Sequence, residues 1–217
     1  MKLNAKGEVQ SPFVKTEDRE TQRRKKREAV LLAAVQMFNE KGFHATSLDE
    51  VAASLGVTKP VIYYYLGNKE NVLLECVRRG LDELQAATDL AHLEPGTGSQ
   101  RLRAYLLRYA EFSLSDFGRC TTRTESKLLS SESADELLTL KRRVDHTLRE
   151  LIQEGIDDGS IAAADTRLAA FTLFGALNWT AHWYSERGPD RPEVIADKMV
   201  TLLLDGLIPR DQAATGA

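Results

Sequence analysis

The stretch Gly56–Val72, GVTKPVIYYYLGNKENV, decides the fold of this chain. Pro60 lies in the first turn of a predicted helix, where its fixed φ favours initiation and its missing N–H would be unpaired in any case. Thr58 precedes it as a candidate N-cap, and Gly67 ends the helix. The stretch therefore predicts a short helix that begins at a proline and carries three successive tyrosines.

A second short helix precedes this one. Ser47 and Glu50 have the Ser-x-x-Glu spacing of a capping box, which predicts a helix over Leu48–Leu55 that Gly56 ends. Two short helices joined by a tight glycine-containing turn are typical of a helix-turn-helix. In that motif the second helix enters the DNA major groove with its N-terminal end first.

The residue types of the second helix suit a DNA duplex. A hydroxyl and an ammonium in its first turn can donate to base edges, an apolar surface can meet a thymine methyl, and tyrosine hydroxyls can reach phosphates. A lysine at the start of the following helix can bind a phosphate. The predicted contacts are Thr58, Lys59, Pro60, Val61, Tyr63, Tyr64 and Lys69.

The three tyrosines cannot share one face of a helix. Tyr63 and Tyr64 are predicted to point outward, and Tyr65 is predicted to turn partly towards the supporting helices. The alternative is an aromatic core, which the capping box, the turn and the basic preceding helix disfavour.

The charge distribution also favours a polyanionic partner. The 217 residues carry a net charge of −3, but residues 1–80 hold 14 Lys and Arg against 10 Asp and Glu, a net charge of +4. Residues 81–217 carry the remaining −7. The run Arg23–Arg27 belongs to the basic end and is either a DNA contact or a solvated helix face.

The composition excludes several classes of protein. No apolar run approaches the ~18 residues that span a bilayer, and the first ten residues lack the apolar core of a signal peptide. Cys76 and Cys120 have no CxxC spacing and no histidine cluster beside them. We therefore expect a cytoplasmic protein without a metal site, a cofactor or a membrane partner.

The segment REAVLLAAVQMFNEKGFHATSLDEVAASLGVTKPVIYYYLGNKENVL, within residues 23–75, resembles the DNA-binding domain of the TetR/AcrR family of transcriptional regulators. By position, the resemblance implies base-reading and groove-edge roles for the six residues of the second helix named above, and phosphate contacts for Thr46, Ser47 and Lys69. Many members have His-Phe where this chain has Tyr65-Leu66, so the resemblance assigns Tyr65 no role.

The rest of the chain is predicted to be helical as well. The predicted fold is all-α with about nine helices: a three-helix helix-turn-helix domain and a larger domain that the resemblance implies binds a ligand and dimerises. Predicted later helices cover residues 101–117, about 121–131, 134–158, 165–187 and 191–206. The predicted organisation is a flexible tail (1–20), the helix-turn-helix domain (21–67, family-type domain about 24–84), the ligand-binding and dimerisation domain (68–209) and a flexible tail (210–217).

A ligand pocket is predicted from two groups of residues. The segment Leu168–Tyr184 carries an aromatic stripe with one asparagine and one histidine, typical of a mostly apolar pocket with a few polar groups. Alternatively, this stripe is a core helix or a dimer face, and the apolar face of residues 195–207 is predicted to dimerise. The candidate ligand contacts are Phe171, Asn178, Trp179, His182 and Trp183 in one group and Tyr109, Phe112, Arg119 and Arg123 in the other.

The C-terminal part also resembles TetR-type regulators that respond to acyl-CoA thioesters. Such a ligand needs basic groups at the pocket mouth for its phosphates, and the candidates are Arg101, Arg103, Arg108, Arg119 and Arg123. A neutral hydrophobic drug or a steroid-like ligand is equally compatible with the aromatic content. The leading hypothesis is a dimeric repressor that such a ligand releases from a palindromic operator.

Two other classes of function fit the sequence less well. A small α-helical enzyme would use His182 or Cys120, but the sequence offers little else that could serve catalysis, so no enzyme is predicted. A non-specific or architectural DNA-binding protein would be basic throughout, whereas residues 81–217 are acidic.

Overall fold

The computed structural model describes residues 16–93, 95–185 and 187–206. These residues form ten α-helices and one 3-10 turn, Ser126–Leu128, which confirms the all-α prediction. The helices are α1 (Thr16–Lys41), α2 (Leu48–Ser54), α3 (Lys59–Leu66), α4 (Lys69–Leu93), α5 (Gly98–Leu114), α6 (Asp116–Arg123), α7 (Ser131–Asp157), α8 (Thr166–Asn178), α9 (Thr180–Trp183) and α10 (Pro192–Asp205).

The chain ends differ from the sequence prediction. Helix α1 begins at Thr16, so residues 16–20 of the predicted N-terminal tail are helical. The first fifteen residues and the predicted C-terminal tail, 210–217, lie outside the described residues.

The predicted helix over 165–187 was too long. Helix α8 ends at Asn178, and only the one-turn helix α9 follows it. The buried Thr180 hydroxyl donates a hydrogen bond to the Leu177 carbonyl (2.7 Å), so a side chain replaces the regular helical partner at this point. The break separates the aromatic residues before it from those after it.

Two apolar cores hold the helices together. The first joins α1, α2, α3 and the N-terminal half of α4, and it reaches Cys120 of α6. The second joins Leu84 of α4 to α5, α7, α8 and α10. We call helices α1 to α3 the head and helices α5 to α10 the body. Helix α4 belongs to both cores and is the continuous connection between head and body.

An ion-pair network holds α4 against α1. The Arg79 guanidinium donates two hydrogen bonds to the Glu28 carboxylate (2.6 and 2.7 Å) and a third to Glu75 (3.3 Å). The hydrogen bond from Arg79 lowers the pKa of Glu28 below its usual value. Bidentate geometry makes this pair stronger than a simple surface contact, so α1 and the first half of α4 are joined.

Helices α5 and α7 approach each other most closely at two glycines. The Gly98 N–H donates to the Asp158 carboxylate (2.6 Å), which draws the start of α5 onto the end of α7. A Cβ on Gly98 would overlap the backbone nitrogen of Gly155. No side chain larger than hydrogen fits between these two backbones.

We expect Gly98→Ala to lower the free energy of unfolding by roughly 1–3 kcal/mol, because the methyl group must push two helix backbones apart. Denaturant unfolding monitored by circular dichroism measures the change. Gly96→Ala is the control, since its methyl group would meet only the flexible Gln100 side chain. Equal stability of the two variants would contradict the close crossing.

Candidate functional sites

The turn between α2 and α3 has the geometry that its sequence predicts. The Ser47 hydroxyl accepts from the Glu50 N–H (3.2 Å) and the Glu50 carboxylate accepts from the Ser47 N–H (2.8 Å), which completes the capping box. Gly56 adopts a φ of 63°, and the Val57 N–H donates back to the Ala52 carbonyl (3.0 Å). This left-handed glycine cap ends α2 and turns the chain directly into α3.

Helix α3 presents a continuous exposed surface. Its buried side chains are Ile62 and Leu66, which face the head core. Tyr63 and Tyr64 expose 50% and 64% of their surface, as predicted from the sequence. Thr58 occupies the N-cap position, but its side chain makes no capping hydrogen bond to α3. The predicted base-reading residues that share this exposed surface are Thr58, Lys59, Pro60, Val61, Tyr63 and Tyr64.

Lys59 has an ion-pair partner on the preceding helix. Its ammonium contacts the Asp49 carboxylate of α2, and this hydrogen bond raises the pKa of Lys59. Both side chains are largely exposed, so the pair is worth little to stability. A DNA phosphate or base edge would compete with Asp49 for the same ammonium.

The basic run of α1 lies beside α3. The Arg23 guanidinium sits over the Tyr64 ring, 5.3 Å from its centroid, which brings the first half of α1 next to the exposed face of α3. Tyr65 is half-buried and packs against the head core, as predicted. The exposed cations of α1 therefore extend the basic surface around α3, and they are Arg23, Arg24, Lys25 and Lys26.

The three residues predicted to contact phosphates form hydrogen bonds within the head. Thr46 is buried, and its hydroxyl lies within hydrogen-bond distance of the Met37 and Gly42 carbonyls (3.2 and 3.0 Å). Ser47 serves the capping box. The Lys69 ammonium donates to the carbonyls at the C-terminal end of α1 and in the following loop, at 2.7 Å to Phe43 and 2.8 Å to Thr46. Burial lowers its pKa.

A cavity of about 370 Å³ lies between α4, α5, α6, α7 and α8. It sits where the two cores meet, because its α4 wall extends from Val77 to Leu84. Such a volume is within the range of small-molecule sites. Four of the nine predicted ligand contacts line it, and they are Tyr109, Phe112, Phe171 and Asn178.

One polar pair stands in the apolar wall of this cavity. The Tyr109 hydroxyl donates to the Asn178 side-chain carbonyl (2.8 Å), and the Tyr109 ring packs on Phe174 with 4.7 Å between centroids. Burial raises the pKa of Tyr109 to about 12. The hydroxyl therefore stays neutral and is a fixed hydrogen-bonding group for a ligand.

The other five predicted contacts lie elsewhere. Trp179, His182 and Trp183 follow the end of α8 and are exposed, with the His182 ring 4.7 Å from the Trp179 ring. Trp179 keeps a helical backbone, so its side chain points about 100° around the helix from that of Asn178, and none of the three residues lines the cavity. The sequence predicted one continuous helix over 165–187, on which these three residues would have lined a pocket together with Asn178.

Arg119 and Arg123 occupy the opposite side of α6 from the cavity. The Arg123 guanidinium donates to the Ala181 carbonyl (2.7 Å) and to the Asn39 carbonyl (3.0 Å), so it joins the body to the end of α1. Arg119 pairs with Asp116. The cavity instead receives Thr121 and Thr122 from α6.

Two cations that the sequence analysis did not select line the cavity. Lys141 and Arg142 of α7 stand in its wall, whereas the five arginines proposed for an acyl-CoA do not. A signal was present in the sequence: Lys141 lies four residues after Leu137 and seven before Leu148, both of which are buried. It therefore interrupts the apolar stripe of α7 at an exposed position on the cavity wall.

Exposed apolar side chains lie on both α8 and α10. Leu168 and Trp179 expose 64% and 63% of their surface, and between them a Cβ on Gly175 would meet no atom of the described residues within 4 Å. Val194 and Leu202 expose their side chains on α10. A face of this size and composition is typical of a protein–protein contact.

Membrane spans and metal clusters are both absent from the described residues. Within them, no helix is both long and apolar enough to cross a membrane. The same residues contain no group of three or more His, Cys, Asp or Glu side chains placed to hold a metal ion.

Family models match both halves of the chain. The model described as "Bacterial regulatory proteins, tetR family" matches residues 30–76. The model described as "Tetracyclin repressor-like, C-terminal domain" matches residues 95–207, just over half of the chain. The first match contains α2, α3 and the turn between them, and the second contains α5 to α10.

Individual proteins agree with these matches. The fatty acid metabolism regulator protein of Bacillus subtilis (strain 168) is 23% identical over 189 residues, which cover 86% of this chain and 97% of that protein. The crystal structure of the TetR family regulator PfmR from Thermus thermophilus is 31% identical with a TM-score of 0.72, covering 83% and 99%. AibR, solved with isovaleryl coenzyme A and operator DNA, is 24% identical with a TM-score of 0.69, covering 84% and 100%, and shares the fold.

We expect Lys69→Met to lower the free energy of unfolding by roughly 1–3 kcal/mol, because the Phe43 and Thr46 carbonyls lose their donor. The denaturant midpoint measures this loss. Lys41→Met is the control, since Lys41 forms only an exposed pair with Glu50 and should change stability by less than about 1 kcal/mol. A Lys69→Met protein as stable as the wild type would contradict this structural role of Lys69.

Proposed function

The chain belongs to the TetR family of bacterial regulatory proteins, and we propose that it is a homodimeric transcriptional repressor that a small ligand releases from a two-fold symmetric operator. As a member of this family it is a DNA-binding transcriptional regulator and not an enzyme. The observation that carries the proposal is the exposed face of α3, presented by a capped and glycine-turned helix-turn-helix. Because its operator is on the chromosome, the protein is proposed to act in the cytoplasm.

DNA recognition is assigned to the N-terminal part, residues 21–67. Thr58 and Lys59 are proposed to donate to base edges, Pro60 and Val61 to contact apolar base surface, and the two exposed tyrosines to reach phosphates. The cations of α1 beside Tyr64 add phosphate contacts. Three residues that hold the loop before α2 and the start of α2 remain proposed phosphate contacts, and they are Thr46, Ser47 and Lys69.

Dimerisation is assigned to the exposed faces of α8 and α10, within residues 68–209. The gap at Gly175 permits a second helix to approach closely, while Leu168 and Trp179 on either side supply apolar contact. A two-fold axis through this face places two copies of α3 on one side of a DNA duplex. Half-sites about one helical turn apart are expected for such an arrangement. Leu207 of the predicted dimer face lies outside the described residues.

The effector is assigned to the cavity, and an acyl thioester is the proposed class. AibR binds isovaleryl coenzyme A, and the Bacillus subtilis relative regulates fatty acid metabolism. A volume of about 370 Å³ suits an acyl chain, so the nucleotide part of a coenzyme A thioester would remain outside the mouth. Lys141 and Arg142 at the wall are suited to an anionic group.

Helix α4 is proposed to carry the signal from the cavity to the head. A Cβ on Gly80 would lie 2.5 Å from the Phe112 ring, so this cavity-lining ring rests directly on the α4 backbone. A ligand that displaces Phe112 must move α4, and with it the spacing of the two heads. The ligand can weaken operator binding only by its differential affinity for the two spacings.

The DNA assignment predicts opposite effects for the two members of one ion pair. Lys59→Ala should weaken specific operator binding by roughly 1–3 kcal/mol and relax the preference at one base pair. Asp49→Asn should strengthen binding to all duplexes, because it removes a negative charge beside the DNA and releases the Lys59 ammonium. Fluorescence anisotropy with a mapped operator and a scrambled duplex measures both. Wild-type affinity in both variants would exclude the exposed surface of α3 as the DNA-binding surface.

The dimer assignment predicts that Leu168→Glu is monomeric at micromolar concentration, because the charge would be buried at the two-fold face. Light scattering gives the mass, and footprinting of the wild type should show two symmetric half-sites. Leu90→Glu is the control, since Leu90 is equally exposed on α4 but outside this face. A Leu168→Glu dimer, or a footprint without two-fold symmetry, would refute the assignment.

A further inference from the structure

We propose that Lys141 is the anchoring residue of the cavity and that the effector is an amphipathic anion, with a carboxylate or phosphate on Lys141 and an apolar chain against the aromatic wall. The proposal rests on the cavity being the effector site of the proposed function. It excludes neutral lipids, drugs and sterols as the natural ligand.

The position of Lys141 gives the first reason. It stands in the wall of a cavity whose lining is mainly apolar, on the face of α7 that elsewhere carries buried leucines. Its side chain remains accessible, as a binding group must, yet the surrounding protein lowers the pKa of its ammonium. A lysine among these apolar residues brings a positive charge to the edge of an otherwise mainly apolar lining.

The absence of an internal partner gives the second reason. Throughout residues 16–93, 95–185 and 187–206, no side chain forms an ion pair or hydrogen bond with Lys141. Asp145, one turn further along α7, lines the same cavity, but its carboxylate pairs with Arg149 (2.6 Å). The nearest acidic group in the lining is therefore already neutralised. A ligand anion would supply the charge that the protein does not.

The opposite wall defines the rest of the ligand. Phe112 and Phe174 present aromatic surface, and the Tyr109–Asn178 hydrogen bond is the polar feature that faces across the cavity. An apolar chain fills this space without leaving a polar group unpaired. A neutral ligand would fill it as well, but would form no ion pair with the Lys141 ammonium, so its affinity is expected to be lower than that of an anion.

Three probes with one chain length separate these possibilities: dodecanoate, dodecanoyl-CoA and 1-dodecanol. Isothermal titration of the full-length protein is done without DNA. Of the two anions, the one that binds more tightly should bind about ten- to a hundredfold more tightly than the alcohol. In Lys141→Met this preference should disappear while the affinity for the alcohol is kept, and Lys141→Arg should restore it. If Lys141→Met weakens the binding of dodecanoate, Lys141 binds a carboxylate. If it weakens the binding of dodecanoyl-CoA, Lys141 binds a phosphate.

Two controls make the result decisive. Lys127→Met removes an exposed lysine outside the cavity lining and should bind every probe like the wild type. In the free protein, Lys141→Met should not lower the thermal midpoint, because Lys141 is exposed and no ion pair of the described residues is lost. Any one of four results would overturn the proposal: equal affinity of the acid and the alcohol, no binding of either anion, wild-type selectivity in Lys141→Met, or a lowered thermal midpoint of Lys141→Met.

The experiment also separates this inference from the proposed function. Ligand binding is measured without operator DNA, so a failure of DNA recognition leaves the titration unaffected. If the anion binds through Lys141 but does not weaken operator binding, the anion site stands and the release mechanism fails. If the protein binds its operator and a neutral ligand releases it independently of Lys141, the release mechanism stands and the anion site fails.

Discussion

The structure depends on one helix that belongs to two cores. Helix α4 supplies Val72 to Val77 to the head core and Leu84 to the body core. Between these segments it carries Gly80, whose missing side chain admits the Phe112 ring. The Phe112 ring therefore packs directly on the α4 backbone beside the cavity. The Arg79 network joins the same helix to α1.

The polar residues of the head are divided between two tasks. A helix end leaves backbone groups that must be paired, and in the head Ser47, Thr46 and Lys69 supply partners for such groups or for nearby carbonyls. The residues at the start of α3 form few hydrogen bonds within the protein and remain exposed. Lys59 and Lys69 are ten residues apart and chemically identical, yet one faces solvent beside Asp49 and the other is held by carbonyls. The direction of each side chain, rather than its type, separates recognition from support.

Helix α8 divides its residues between cavity and surface in a similar way. Asn178 and Phe174 face inward, Leu168 and Trp179 face outward, and Phe171 lines the cavity while half of its surface is exposed. Arg149 and Arg167 lie over the Phe171 ring, at 5.5 and 5.4 Å from its centroid. Filling the cavity and pairing two subunits would therefore act on the same helix. A ligand could in this way affect the relative placement of the subunits as well as α4.

The amino-acid sequence by itself determined the local structure of the head. The Ser47–Glu50 box, Gly56 and Pro60 act within a few residues of their own backbone, so spacing alone predicts the helix-turn-helix and the exposed tyrosines. The cavity is lined by five helices from distant parts of the chain, and there tertiary packing decided the outcome. Trp179, His182 and Trp183 came to lie on the exposed surface after α8, the contact of α6 with α1 drew Arg123 away, and the packing of α7 placed Lys141 in the wall. A helical period shows which residues share a face, but only the neighbouring helices decide what that face meets.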